Sequence, residues 1–144
     1  MSLLVVDKEE FIAHFRTRQV GYNGNFNFEF EDLSDEGLVI SVNCDEKTLN
    51  PIGSVHGGLL YSIGDHAAGS FAYAIGSNGV TLKGSMDYFY SVEKGRIYAK
   101  ARLKNRTKRT VLLEVDIIQE DRVVAYGIYN FYVRSPKKDG IDPA

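Results

Sequence analysis

Gly57–Ile75 reads GGLLYSIGDHAAGSFAYAI and is apolar nearly all round, apart from Asp65 and His66. A helix hydrophobic on every side is a buried one, so this stretch predicts a long central helix. Two ionisable residues near its middle and four glycines (Gly57, Gly58, Gly64, Gly69) argue against a membrane span. Small residues at Gly64, Ala67, Ala68 and Gly69 would let a neighbouring layer approach closely.

Outward from this helix the period changes. Upstream, Phe26, Phe28 and Phe30 alternate with Asn25, Asn27, Glu29 and Glu31, the pattern of a half-buried strand. Leu38, Ile40 and Val42 predict a second strand, with the polar Asp32–Gly37 stretch as a hairpin connection. Downstream come four extended runs, Gly79–Tyr90, Arg96–Asn105, Thr110–Glu120 and Arg122–Val133. In the second of these Ile97, Ala99, Ala101 and Leu103 face one way, and Tyr98, Lys100, Arg102 and Lys104 the other. The last is apolar on both faces and needs cover on both sides, for which a second subunit is the expected source. At the N-terminus, Phe11, Ile12 and Phe15 recur at helical spacing behind a cap at Asp7; His14 within it reads as a surface or core-edge residue. The Ser2–Val6 apolar run is too short for a signal peptide and has acidic flanks, so a cytoplasmic location is expected. Residues 1–134 read as one domain and 135–144 as a frayed tail.

The composition sets outer limits. The chain has 144 residues, 44% hydrophobic and 25% charged, which suits one folded domain and excludes disorder or a disulfide-stapled miniature fold. A lone Cys44 cannot form an internal disulfide and fits a reducing compartment. A net charge of −2 argues against a general nucleic-acid binder. That mild value hides a cationic strip of Lys100, Arg102, Lys104, Arg106, Lys108 and Arg109. Subtracting these six from the 17 basic residues leaves 11 against 19 acids, a formal −8 on the remainder. Taken alone, such a strip is a solvated strand face and turn.

Two features carry chemistry. A carboxylate inside an apolar helix, here Asp65, costs several kcal/mol of desolvation unless it is paired, hydrogen-bonded or beside water. A structural ion pair is the plain alternative, but His66 follows directly, and neighbours at i and i+1 diverge on a helix. Gly57 and Gly58 open the helix, where unpaired N–H groups and the helix dipole favour developing negative charge. A bare glycine pair could equally be a flexible helix start. His56 and His66 have no third ligand at metal spacing, so no zinc site is expected. No Gly-x-Ser-x-Gly elbow or phosphate loop is present. Cys44 paired with a histidine would be a thiol nucleophile, although a single cysteine at a strand end is more often a packed thiol.

The order helix, two strands, long buried helix, four strands describes an α+β fold, an antiparallel sheet of about six strands wrapped around a central helix, the hotdog pattern. The run Asn50-Pro51-Ile52-Gly53-Ser54-Val55-His56-Gly57-Gly58, then Asp65, then Gly79-Val80-Thr81, resembles the hotdog thioesterases of the phenylacetate-degradation (PaaI-type) branch. The resemblance implies an acyl-CoA thioesterase. Gly57 would polarise the thioester oxygen through its N–H, and Asp65, reaching in from the facing subunit, would activate water or attack the carbonyl. Asn50 and Thr81 would position the thioester or the water, His56 would hydrogen-bond around the site, and Gly58 would lie against the substrate. The phosphates of coenzyme A give the cationic strip a partner, with Arg106, Lys108 and Arg109 on the turn as the expected contacts. A homodimer, or a tetramer of two dimers, is implied, with no cofactor, metal, nucleic acid or membrane. A hotdog hydratase or dehydratase, and an acyl-CoA-binding module without turnover, are the competing readings. The segment Tyr88–Gly95 lacks the proline that relatives often carry before the turn glycine. Its Tyr88-Phe89-Tyr90 cluster reads as sheet packing or, alternatively, as an acyl pocket.

Overall fold

Asp7 starts the first helix as the spacing predicts. Its carboxylate accepts from the Glu10 N–H, and the Glu10 side chain accepts in return from the Asp7 N–H, a capping box on α1 (Lys8–Thr17). The computed structural model describes residues 2–134, so the tail 135–144 lies outside the described residues. After α1 come β1 (Glu29–Ser34), β2 (Gly37–Cys44), α2 (Gly57–Ala74), β3 (Gly79–Tyr88), β4 (Gly95–Arg106), β5 (Thr110–Gln119) and β6 (Arg122–Val133). The strands form one antiparallel sheet in the order β1-β2-β4-β5-β6-β3. The chain crosses from β2 to the far edge through α2, which packs against β2, β4, β5, β6 and β3. This is the hotdog arrangement, and the predicted α+β fold is the observed one.

The first strand is shorter than the Phe alternation suggests. Gly21–Asn25 winds into a 3₁₀ turn, and ladder pairing begins at Glu29 opposite Ser41. Phe26 and Phe28 stack on each other with centroids 5.3 Å apart, and Phe28 lies 5.3 Å from the His66 ring. Phe28 thus packs on α2 through His66 with Phe26 stacked on it, and neither takes part in strand pairing.

Helix α2 stops where its backbone is turned back. Gly76, at φ +80, donates to the Tyr73 carbonyl at 3.0 Å, and Ser77 N–H to the Ala72 carbonyl at 2.8 Å, the paired bonds of a Schellman motif. The face of α2 toward the sheet carries Leu60, Ile63, Ala67, Ala68 and Phe71, all at most 2% exposed, against Ile97, Ala99, Leu113, Val115 and Ile117. At Gly64 an added Cβ would lie 2.4 Å from the Tyr129 hydroxyl, which donates to the Tyr61 carbonyl at 2.9 Å. The small residue thus admits a phenol that ties the helix to β6.

The sheet covers one side of α2, while α1 and the Gly21–Asn25 turn cover only part of the other, which corrects the expectation of a helix buried all round. The rows Tyr61, Asp65, Gly69, Tyr73 and Ser62, His66, Ser70 follow i, i+4 spacing and remain half-buried. On β6, Ala125, Tyr129 and Phe131 are buried, while Ile128 and Tyr132 on the opposite face are 36% and 42% exposed. Strand β3 ends the sheet with one edge unpaired, and Val80 and Leu82 on it are about half exposed.

Candidate active site

The loop before α2 is shaped by Asn50. Its Oδ1 accepts from the Ile52 and Ser54 N–H groups at 3.1 and 3.0 Å, and the Ser54 carbonyl accepts from the Asn50 N–H at 2.7 Å. The Asn50 side chain thereby sets the approach to the helix. His56 is the N-cap, its Nδ1 accepting from the Gly58 N–H at 2.8 Å. That bond puts the imidazole proton on Nε2 and occupies the Gly58 amide. A Cβ at Gly58 would lie 2.9 Å from the His56 ring, so the second glycine makes room for the cap. Gly57 keeps the oxyanion role open, since among the described residues nothing accepts from its N–H. Its carbonyl accepts from the Tyr88 hydroxyl at 2.9 Å.

Eight residues further on, Asp65 projects from the outward face of α2. Thr81 on β3 donates to its Oδ1 at 2.9 Å. Burial pushes the Asp65 carboxyl above the usual carboxylate range, with the Thr81 bond pulling partly back. His66 does not pair with it, pointing instead between Phe15 and Phe28 toward Gln19 and Asn23. The ion-pair alternative for Asp65 therefore has no partner among the described residues.

These groups divide between two clefts. One of about 730 Å³ holds Asp65, Thr81, Tyr61, Ser62 and His66. A second of about 370 Å³ holds Asn50, Gly57, Tyr88, Phe89 and Tyr90. On a helix rising about 1.5 Å per residue, Gly57 and Asp65 are separated by about 12 Å along the axis, too far to act on one carbonyl within a single chain. The aromatic triplet is not sheet packing, because Tyr88, Phe89 and Tyr90 are each more than half exposed and line the second cleft.

The cationic strip does not act as one surface. Arg102 is paired with Glu114 at 3.2 Å and Asp116 at 2.8 Å. Arg106 donates from Nη1 to the Ile75 carbonyl at 2.7 Å and to Ser77 Oγ at 3.2 Å, closing the C-terminal end of α2. Lys100, Lys104, Lys108 and Arg109 are exposed and enter no salt bridge among the described residues. Cys44 is buried and its thiol is pushed up to about 11, chiefly by desolvation, which removes it as a nucleophile near neutral pH. Among the described residues no group of three His, Cys, Asp or Glu side chains could hold a metal ion.

The family model described as the thioesterase superfamily matches residues 52–126, from the loop before the glycine pair into β6. The chain belongs to the thioesterase superfamily. A Mycobacterium tuberculosis protein bearing the name "Putative esterase Rv1847" is 30% identical over 115 residues, covering 75% of this chain and 82% of the relative. The crystallographic counterpart of that protein superposes with a TM-score of 0.77 at 26% identity, over 83% of this chain and all of the other. A thioesterase-named protein from Streptococcus pneumoniae, solved with coenzyme A, gives a TM-score of 0.70 at 28% identity, over 74% of this chain and 88% of that one. A single-site mutant of the phenylacetic acid degradation protein PaaI from Thermus thermophilus gives 0.71 at 26% identity, over 76% and 96%. For this thioesterase-superfamily chain the coarse chemistry is therefore hydrolysis of an ester or thioester.

The sequence reading missed Tyr88 as a clamp on the Gly57 carbonyl, and it missed the two amides around His66. Neither has a sequence signal, because the contacts join residues 31 to 47 positions apart.

Proposed function

We propose that this protein is an acyl-CoA thioesterase whose working site forms between two copies of the chain, with Asp65 from one and the Gly57 N–H from the other. The observation that carries the reading is Asp65 itself, a desolvated carboxylate held among the described residues by Thr81 and open to a cleft. The separation of Asp65 from Gly57 along one helix supports a shared site. So do the unpaired β3 edge and the half-covered outer rows of α2. The Gly57 N–H would take the oxygen of the tetrahedral adduct, worth about 10²–10³ in rate. Asp65 would take a proton from the attacking water and pass it to the departing sulfur of coenzyme A, or would attack the carbonyl to form an anhydride that water then hydrolyses, the expelled thiolate taking its proton from solvent.

The deciding assay is thiol release from a panel of acyl-CoA esters. Release supports the thioesterase; a hydratase or dehydratase frees no thiol, and tight binding without release identifies a binding module. The single unpaired thiol, Cys44, fits a reducing, cytoplasmic setting. Tetramer formation from two dimers has a candidate surface in the outer sheet face, where Ile128 and Tyr132 are exposed.

Two expected outcomes refine the site. Thr81→Val removes the hydroxyl that stabilises the Asp65 carboxylate. Losing a bond to the charged form raises the carboxyl further, so the acid limb of the kcat/KM pH profile should move to higher pH. An unmoved limb would show that another group controls it. For coenzyme A, the free charges of Lys108 and Arg109 are the contacts we assign, since Arg106 is engaged with α2. Neutralising Lys108 and Arg109 together should raise KM for acyl-CoA severalfold at low salt, with little effect on kcat, and the difference should shrink at high salt.

A further inference from the structure

Two peptide groups flank the Cα of Gly57, and among the described residues three of their four polar atoms are engaged. In the first, the His56 carbonyl accepts from the Leu59 N–H at 3.0 Å, and the Gly57 N–H is left open. In the second, the Gly58 N–H donates to His56 Nδ1 at 2.8 Å, and the Gly57 carbonyl accepts from the Tyr88 hydroxyl at 2.9 Å. The bonds to Leu59 and His56 lie within the helix start itself. Only the one from Tyr88 comes from another layer, 31 residues along the chain. Glycine has no side chain to restrain its own φ and ψ, and the first turn of a helix lacks the full bonding of the interior. Local bonds alone therefore let the pair Gly57-Gly58 rock as a unit, and the contact from β3 stops it.

Tyr88 has a firm base for this. Its backbone pairs with Ala125 at the end of the β3 and β6 ladder, and the next two N–H groups, of Phe89 and Tyr90, both donate to the Val124 carbonyl, at 2.8 and 3.2 Å. The ring lies against Gly57, where an added Cβ would be 3.2 Å from Tyr88 Cζ. Burial, with Tyr61 nearby, pushes the phenol above its ordinary value, so it remains a donor throughout the neutral range. A hydroxyl has one proton, and this one is given to the Gly57 carbonyl rather than held free for a substrate. Because His56 occupies the Gly58 amide, the glycine pair offers an oxyanion one backbone donor, whose worth depends on its aim at the atom where charge develops. A misplacement of about 1 Å at a reacting centre can cost up to about 10²-fold in rate. We propose that Tyr88 is the positioning residue of the oxyanion donor: its bond to the Gly57 carbonyl fixes the glycine pair and so aims the Gly57 N–H. The proposal rests on the thioesterase reading, in which that N–H meets the thioester oxygen.

The test is Tyr88→Phe, which keeps the ring against Gly57 and removes only the hydroxyl. For the best acyl-CoA ester, kcat should fall about three- to tenfold, the worth of one neutral hydrogen bond. KM and melting temperature should stay near those of the wild type, because the aimed amide acts on the transition state more than on the bound ester. The acid limb of the pH profile should stay in place, since the amide and not Asp65 is the target. In a Gly57→Pro background, which has no amide to aim, the same change should cost less than about twofold. Amide relaxation-dispersion NMR should show exchange broadening at Gly57 and Gly58 in Tyr88→Phe and none in the wild type, with Gly69 in mid-helix as the internal control. A raised KM at constant kcat would make Tyr88 a direct substrate contact, and an equal loss in both backgrounds would make it a structural tie. Either result, a shifted acid limb, or glycine amides that stay sharp in Tyr88→Phe overturns the proposal while leaving the hydrolase reading standing. Absence of thiol release from every acyl-CoA ester overturns the hydrolase reading instead. In that event the amide measurement still decides the clamp, because sharp glycine resonances in Tyr88→Phe overturn it and broadened ones uphold it.

Discussion

Asp65→Asn should lower acyl-CoA turnover at least about 10²-fold and leave the fold intact, on the scale of acid–base effects. The substitution keeps the size of the side chain, and its amide oxygen can still accept from Thr81. What disappears is the ability to take a proton or to attack a carbonyl, so kcat should fall far more than affinity for the ester. Stability moves the other way. The folded-state pKa of Asp65 is raised above its unfolded value, so the folded protein binds the proton more tightly than the unfolded chain. The contribution of this group to stability is present below the unfolded pKa and is lost as pH rises through the folded one. Once ionised, the desolvated carboxylate is thus a burden on the fold, and the neutral amide should give a melting temperature equal to or above that of the wild type at pH values above the folded pKa. A folded variant with near-normal turnover of the best substrate would sink the assignment of Asp65. A variant that lost activity together with its melting transition would show only that the side chain is structural.

Mixing two dead variants should restore activity. Gly57→Pro deletes the amide proposed as oxyanion donor, and proline suits the first position of a helix. The preceding His56 already has an extended backbone (φ −60, ψ 130), which a following proline requires. The added ring atoms would press on Tyr88, at 3.2 Å from an ideal Cβ, a half-exposed side chain that can yield. Alone, Gly57→Pro should lose about 10²–10³ in rate, as removal of one oxyanion donor does elsewhere. When Gly57→Pro and Asp65→Asn chains are unfolded together and refolded at equal amounts, half the dimers pair unlike chains. Each such dimer carries one site with an intact Asp65 and an intact Gly57, so about a quarter of wild-type activity should return. Recovery from under a hundredth to that level is a large signal. No recovery, with mixed dimers shown to form, would place both groups in one chain's site and defeat the shared arrangement.

The parts of the fold that depend on local pattern are legible in the sequence. The α2 segment, the Asp7 cap and the last four strands fall within one or two residues of their sequence assignments, because period and capping residues act within a few positions. Asp65 is legible for the same reason, as a charge inside an apolar run. The errors share one cause, in that most concern a side chain whose partner is remote in sequence. Arg106 reads as a free cation on a turn, and the structure sets it against Ile75 and Ser77. Phe26 and Phe28 mimic a strand because they alternate, but Phe28 lies on His66 of α2 and Phe26 stacks on Phe28, outside the ladder. The outer rows of α2 read as core because the segment as a whole is apolar, although they carry Ser62, Asp65, His66 and Ser70 and this chain leaves them half open. Gly58 is the local exception: it reads as a second amide for the substrate, and the His56 ring, two residues away, already occupies it.

The buried sulfur of Cys44 has a practical consequence. Disulfide reagents that colour in proportion to thiolate will find almost none on the folded protein, since the only cysteine is enclosed and holds its proton to about pH 11. Colour that develops over a native sample therefore counts coenzyme A set free, with no background from the catalyst. The same reagent added to a denatured sample should titrate one equivalent per chain, so a single chemical reads turnover in one tube and unfolding in the next.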